Sequence, residues 1–271
     1  MNHSDKLHKI ASNVRKTCLK VCHASGGGHV GSSLSATDIL TYLYAEKMNV
    51  LSKDKRDDSR DEFVLSKGHA GLALGALFSE LGLLDGKALD NFNGFDSLTS
   101  IHLDERKLPF VDVSTGSLGH GEGVALGMAL GKKLNGRGGK VYCLLGDGEL
   151  NEGSTFEAFA AAAAFNAKNL VTIIDYNGFM LDGKASEVFP FEPVKEKLEA
   201  FGMFVVCCDG HDFDDLRRAF KVAESAEKPC AILAKTTKGK GVSFIENNVS
   251  WHYGSPTSEE LDVAIMEIDN V

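Results

Sequence analysis

Two short apolar runs near the middle of the chain, separated by an alanine-rich stretch, constrain the fold more than any other feature. Residues 140–145 (KVYCLL) and 170–175 (LVTIID) are nearly unbroken apolar runs of strand length, as expected of strands buried on both faces of a parallel sheet. Between them lie a glycine turn, Gly146-Asp147-Gly148, and an alanine-rich helix over 156–167. A strand–helix–strand succession of this length is a βαβ unit with parallel strands. Both strands therefore end on the same edge of the sheet, where such folds bind ligands. Asp147 follows the first strand and Asn177 the second, so two hard oxygen donors thirty positions apart can converge. Such a pair suits Mg²⁺, which takes oxygens at about 2.0–2.1 Å and keeps positions for water or phosphate. Gly148 lets the backbone approach an anion closely, and the helix start behind it offers donor N–H groups. An ordinary strand and turn with an N-capping aspartate would look the same as far as Gly148. The asparagine closing the second strand is what adds a metal site to that plainer reading.

The rest of the chain follows the same alternation. Leu7, Ile10, Ala11, Val14, Cys18, Val21 and Cys22 recur at helical spacing and predict a first amphipathic helix, which ends in the loop Ser25-Gly26-Gly27-Gly28. A second helix is expected over 36–46, a strand over 63–66, and a helix from Gly68 to about Leu81. Residues 86–113 read as irregular, and a glycine-rich stretch, 114–123, leads into a helix over 124–134. Strands are expected over 204–208 and 231–234 with a helix over 214–227 between them, and the acidic tail 255–271 reads as a helix. The sum is an α/β fold: a mostly parallel sheet with helices on both faces. Residues 1–271 read as one domain without a linker.

Composition narrows the function. A net charge of −9 with scattered basic residues argues against a nucleic-acid surface. No apolar run reaches membrane-span length and the N-terminus has no signal-peptide core, so no membrane partner and a cytoplasmic location are expected. The six cysteines lie within apolar helical or strand-like runs and read as reduced core thiols, with Cys207 and Cys208 facing opposite ways on one strand. Cys18 and Cys22 share a helix face, but no second pair completes a zinc set.

The stretch from Gly146 to Asn177 (GDGELNEGSTFEAFAAAAAFNAKNLVTIIDYN) resembles the thiamine-diphosphate enzymes, and transketolases in particular. Four further blocks resemble that family in order: 25–33 (SGGGHVGSS), 61–70 (DEFVLSKGHA), 102–121 (HLDERKLPFVDVSTGSLGHG) and 235–252 (KTTKGKGVSFIENNVSWH). The resemblance implies a thiamine-diphosphate-binding domain of the type that holds the diphosphate (PP-type). It implies Mg²⁺ on Asp147, Asn177 and the carbonyl of Phe179. Ser32, His69, Gly148, Asn177, Lys238 and His252 match cofactor contacts, and Gly116, Ser117 and Leu118 match the turn lying against the cofactor rings. His29, His102 and His252 match histidines that face the reacting substrate. A lysine, glycine amides and a metal are the partners a diphosphate needs, and histidines suit the proton traffic.

Some positions depart from the pattern. Ile101 and Leu103 flank His102 where the family usually has glycine and proline, and His120 stands where many transketolases have glutamine. His23 and His211 read as surface or structural residues. Glu152 matches a position near the family's subunit interface, and a structural role is favoured over a catalytic one. The family also needs a pyrimidine-binding domain, whose glutamate activates the cofactor, and a C-terminal domain. Neither has room here, so the resemblance implies a split transketolase: its partner is a separate C-terminal subunit, the assembly is α2β2, and the substrates are sugars or sugar phosphates. The activity implied is transfer of a two-carbon ketol unit from a ketose to an aldose. A related thiamine-diphosphate lyase or synthase of a dedicated modified-sugar or natural-product pathway is the alternative.

Overall fold

The computed structural model describes residues 3–50 and 57–270. Five strands, β1 (Glu62–Leu65), β2 (Val141–Gly146), β3 (Leu170–Tyr176), β4 (Phe204–Asp209) and β5 (Cys230–Lys235), form one sheet in the order β1-β2-β3-β5-β4. Every pairing is parallel. Nine α-helices are described: α1 (His3–Ser25), α2 (Val30–Tyr42), α3 (Gly71–Glu80), α4 (Gly121–Leu134), α5 (Gly153–Ala164), α6 (Ala185–Val188), α7 (Val194–Ala200), α8 (Phe213–Glu224) and α9 (Ser258–Asp269).

The pleat of the sheet sorts its side chains into two cores. Phe63, Leu65, Tyr142, Leu144, Val171 and Ile173 face a core shared with α1, α2, α3, α8 and α9. Their neighbours Val64, Val141, Cys143, Leu145, Leu170 and Ile174 face a second core shared with α4, α5 and α7. Helices thus cover both faces, which is why β2 and β3 are largely apolar instead of alternating with polar residues, with Thr172 and Asp175 the polar exceptions in β3.

The expected elements recur with shifted ends. α2 begins at Val30 and runs on through an i→i+5 turn over Leu43–Lys47, so the helix starts ahead of its expected start at residue 36. Every residue of α2 is buried, which removes the apolar–polar alternation that marks a helix in sequence. The irregular segment between α3 and α4 contains one short 3₁₀ turn, Gly86–Leu89. All six cysteines are free, as expected, but Cys207 is exposed and is no core thiol. It lies on the edge strand β4, whose alternation places Cys208 inside and Cys207 outside. Among the described residues no helix is long and apolar enough to cross a membrane.

Candidate active site

The loops leaving β1, β2, β3 and β5 all emerge at the carboxyl edge of the sheet, where the α1–α2 turn meets them. Together they enclose a cleft of ≈ 330 Å³. The α1–α2 turn brings His29 and the first turn of α2 Ser32; the loop after β1 brings Lys67 and His69; the long irregular segment brings His102, Gly116 and Leu118. The turn after β2 brings Asp147, Gly148, Glu149 and Glu152, the loop after β3 brings Asn177, Phe179, Met180 and Leu181, and the segment after β5 brings Lys238 and His252. A larger, more open cleft at the other edge of the sheet is lined by charges already paired, Lys47 with Glu224 and Lys168 with Glu227. It gathers no comparable set.

Close backbone approaches place the histidines. Gly28 and Gly254 exchange backbone hydrogen bonds of 3.1 and 2.9 Å, which draws the His252 segment alongside His29. A side chain at Gly31 would meet the Trp251 carbonyl oxygen at 2.8 Å and Lys238 Cγ at 3.3 Å, so only glycine fits there. The rings of His29 and His69 lie 5.2 Å apart, those of His29 and His252 5.3 Å, and those of His69 and His252 stack at 5.8 Å. Nδ1 of His29 is buried without a hydrogen-bond partner. Lys238 Nζ donates to the Met180 carbonyl at 3.1 Å and lies 3.0 Å from His252 Nδ1. An ammonium can only donate, so that contact leaves the ring's proton on Nε2.

Burial disfavours each group's ionised form, and neighbouring charge adds to it for all but His102. His29 is lowered to about 4 by burial, then by His102, Lys238 and Lys67. His252 is lowered to about 4 by burial, then by Lys238, His29 and Lys67. His69 is pushed well below the usual histidine range by burial and then Lys67, and burial lowers His102 as well. Lys238 is lowered to about 8 by burial and the nearby Lys67. On the opposite wall Asp147 rises to about 7, through burial and then the charge of Asp175, although it accepts hydrogen bonds from the Gly148 N–H at 3.0 Å and the Gly178 N–H at 2.5 Å.

Three residues that sequence reasoning passed over, Asp175, Lys67 and Glu149, hold this frame. Asp175 is fully buried and accepts from Lys67, from Ser35 Oγ at 2.6 Å and from Thr236 Oγ1, tying together the ends of β1, β3 and β5 with α2. Burial alone would raise its carboxyl, but the Lys67 ammonium and these bonds hold it low. Glu149 accepts from Ser66 Oγ at 2.6 Å, the Gly119 N–H at 3.0 Å and the Gly146 N–H at 2.9 Å, which pins the 116–120 turn against the β2 turn. The available signal was a charge at the end of an apolar run, as in LVTIID, and a lysine beside Gly68-His69.

Of the residues expected to act in catalysis, cofactor binding or metal binding, Ser117 is the one outside this lining; it borders an adjoining hollow with Gly116 and His120. Among the described residues no three His, Cys, Asp or Glu side chains gather as a metal cluster. Asp147 is one carboxylate with an amide side chain, Asn177, across from it. That donor set fits a hard cation whose remaining ligands come from water and phosphate, not a self-sufficient protein cage.

Residues 7–268 match the family described as transketolase, thiamine diphosphate binding domain. The chain is 36% identical over 255 residues to a subunit of the apulose-4-phosphate transketolase of Phocaeicola vulgatus, covering 94% of this chain and 90% of that one. It is 37% identical over 264 residues to the 6-deoxy-6-sulfo-D-fructose transketolase subunit SqwG of a Clostridium species, covering 97% and 96%. The solved transketolase of Campylobacter jejuni superposes with a TM-score of 0.91 at 32% identity, covering 99% of this chain but 43% of that one.

Proposed function

The chain belongs to the transketolase family as its thiamine diphosphate binding domain, and from that membership we propose that it is the cofactor-binding subunit of a two-chain transketolase. The reaction is transfer of a two-carbon ketol unit from a ketose to an aldose. The observation that carries this reading is coverage: the chain aligns along 90% and 96% of two separate transketolase subunits, but along 43% of an undivided enzyme. The names of both subunit relatives favour a transketolase over a lyase or synthase. The partner in this reading is a second subunit with the pyrimidine and C-terminal domains, and two copies of each give a closed α2β2 assembly. The substrates are sugars or sugar phosphates. Six free cysteines support a reducing compartment such as the cytoplasm.

Within this reading Asp147, Asn177 and the Phe179 carbonyl hold Mg²⁺. Burial and the charge of Asp175 raise Asp147 to about 7, and a bound cation would offset both. Ser32, His69, Gly148, Lys238 and His252 surround the diphosphate, and Gly116 and Leu118 flank the ring end, with Ser117 behind them. Bound thiamine diphosphate supplies the electron sink for breaking and making the carbon–carbon bond. His29, His102 and His252 are neutral at pH 7, so each can take a proton from a substrate hydroxyl and return it. The test mixes this chain with its candidate partner chain and follows ketol transfer and solution mass, with and without thiamine diphosphate and Mg²⁺. Transfer is expected only in the mixture, with the cofactor tightening association because both chains hold it. Robust turnover by this chain alone would overturn the split reading.

A further inference from the structure

His211 lies outside the cleft, in the turn between β4 and α8, and bridges two partners at once. Its Nδ1 is 2.6 Å from Asp38 Oδ2, and its Nε2 lies 2.8 Å from the backbone nitrogen of Thr237. A backbone N–H can only donate, so Nε2 carries no proton, and the ring is neutral with its single proton on Nδ1, donated to Asp38. Asp38 is in turn held by the Arg15 guanidinium, at 3.0 Å to Oδ1 and 2.5 Å to Oδ2, and Arg15 is buried along with it. The imidazole is thereby fixed in orientation from behind by α1 and α2.

The bond to Thr237 matters because the next residue is Lys238. The segment leaving β5 is clamped at three points: Thr236 Oγ1 donates to Asp175, the Thr237 N–H donates to His211, and the Gly239 N–H donates to the Gly31 carbonyl at 3.0 Å. Lys238 sits between the last two clamps and is the side chain sent into the cleft. The turn carrying His211 is also packed hard on this segment, since a side chain at Gly210 would meet Thr236 Cγ2 at 2.5 Å.

We propose that His211 is a positioning residue for cofactor binding: a neutral imidazole locked between Asp38 and the Thr237 amide, which sets where Lys238 meets the diphosphate. The inference rests on the reading of Lys238 as a diphosphate contact. It gives His211, a residue that touches neither cofactor nor substrate, control over cofactor affinity with little control over the chemical step.

Three measurements on the assembled two-chain enzyme test it. His211→Phe keeps a planar ring and loses both bonds. Its Kd for thiamine diphosphate at saturating Mg²⁺ should rise about tenfold or more, while kcat at saturating cofactor stays within about threefold. His211→Gln restores one donor and one acceptor across a single carbon, as the imidazole edge does, and should recover most of the lost affinity. Nitrogen NMR of the wild-type enzyme should find His211 protonated on Nδ1 and bare on Nε2, and this readout stands even where the phenylalanine variant does not fold. Unchanged affinity in His211→Phe, no recovery in His211→Gln, a proton on Nε2, or a fall in kcat that matches the loss of affinity would each overturn the proposal. Failure of the wild-type enzyme to bind thiamine diphosphate at all would instead overturn the function from which it proceeds.

Discussion

Glu122 should make this fold lose stability as pH rises through neutrality, and its replacement by glutamine should remove that loss. The side chain is fully buried on α4. Its Oε1 accepts from Thr172 Oγ1 at 2.6 Å, and its Oε2 is buried with no hydrogen-bond partner. Burial pushes its carboxyl up to about 7 from the ordinary 4.5, the Thr172 hydrogen bond only partly opposing the rise. The sign depends on which state holds the proton. Below the unfolded value both states are protonated and the site costs nothing. As pH rises, the unfolded chain ionises first, so the unfolded state gains until the folded carboxyl also ionises near pH 7. At about 1.4 kcal/mol per pH unit this amounts to about 3 kcal/mol in full, most of it lost between pH 5 and pH 8. Glutamine cannot ionise, and constant costs, such as its buried N–H groups, cancel when one protein is compared at two pH values. Urea unfolding at pH 5 and pH 8 should therefore show wild type losing about 2–3 kcal/mol more than Glu122→Gln between the two conditions. For a chain of this size that is about 5–10 °C in melting temperature. Parallel pH profiles for the two proteins would refute the argument.

The site yields two further expectations. Because Asp147 must be ionised to hold a cation and sits at about 7, Mg²⁺ affinity in the assembled enzyme should fall about tenfold per pH unit below neutrality and level off above it. Calorimetry would show this, and Asp147→Ala should abolish Mg²⁺-dependent cofactor binding outright. His29→Ala and His252→Ala should keep cofactor but lose about 10²-fold or more in kcat, the usual worth of a positioned acid–base group. Near-normal steady-state rates in both variants would make them packing residues.

The parts of the fold that were legible in the sequence are those whose signal is local. β2, the Gly146-Asp147-Gly148 turn, α5 and β3 were readable because apolar runs, glycines and alanines each announce a backbone preference over a few residues. α1 was readable because one of its faces is wet. α2 was misplaced at its start because serine and glycine favour loops locally, while complete burial is a tertiary fact that erases periodicity. α6 and α7, within 178–200, gave no periodic signal because they are short and mostly exposed. The Lys67–Asp175 pair was invisible for a different reason. The two residues lie 108 positions apart, and only the strand order that sets β2 alone between β1 and β3 brings their ends together. His211 was read as surface or structural; its link to Thr237 depends on β5 lying between β3 and β4, which no local pattern encodes.

The electrostatics of the cleft favour a pair of opposite charges over any single ligand. On one wall His29, His69, His252 and Lys238 all have their cationic forms disfavoured, by burial first and then by one another and Lys67. On the other wall Asp147 has its anionic form disfavoured, by burial and then by Asp175. A neutral ligand would relieve neither wall, and a lone anion would relieve one while aggravating the other. A cation bound to Asp147 and joined to an anion that reaches Lys238 relieves both at once, because each wall then faces the charge it lacks. Lys67 does not compete for that anion, since Asp175 already neutralises it. Among the described residues of the cleft, Lys238, with a carbonyl and a histidine as its hydrogen-bond partners, is the cation left to meet it. Both lysines are buried against the cleft, but Lys67 is already paired with Asp175 and Lys238 is not so paired, so a metal–diphosphate pair would suit this site better than either ion alone.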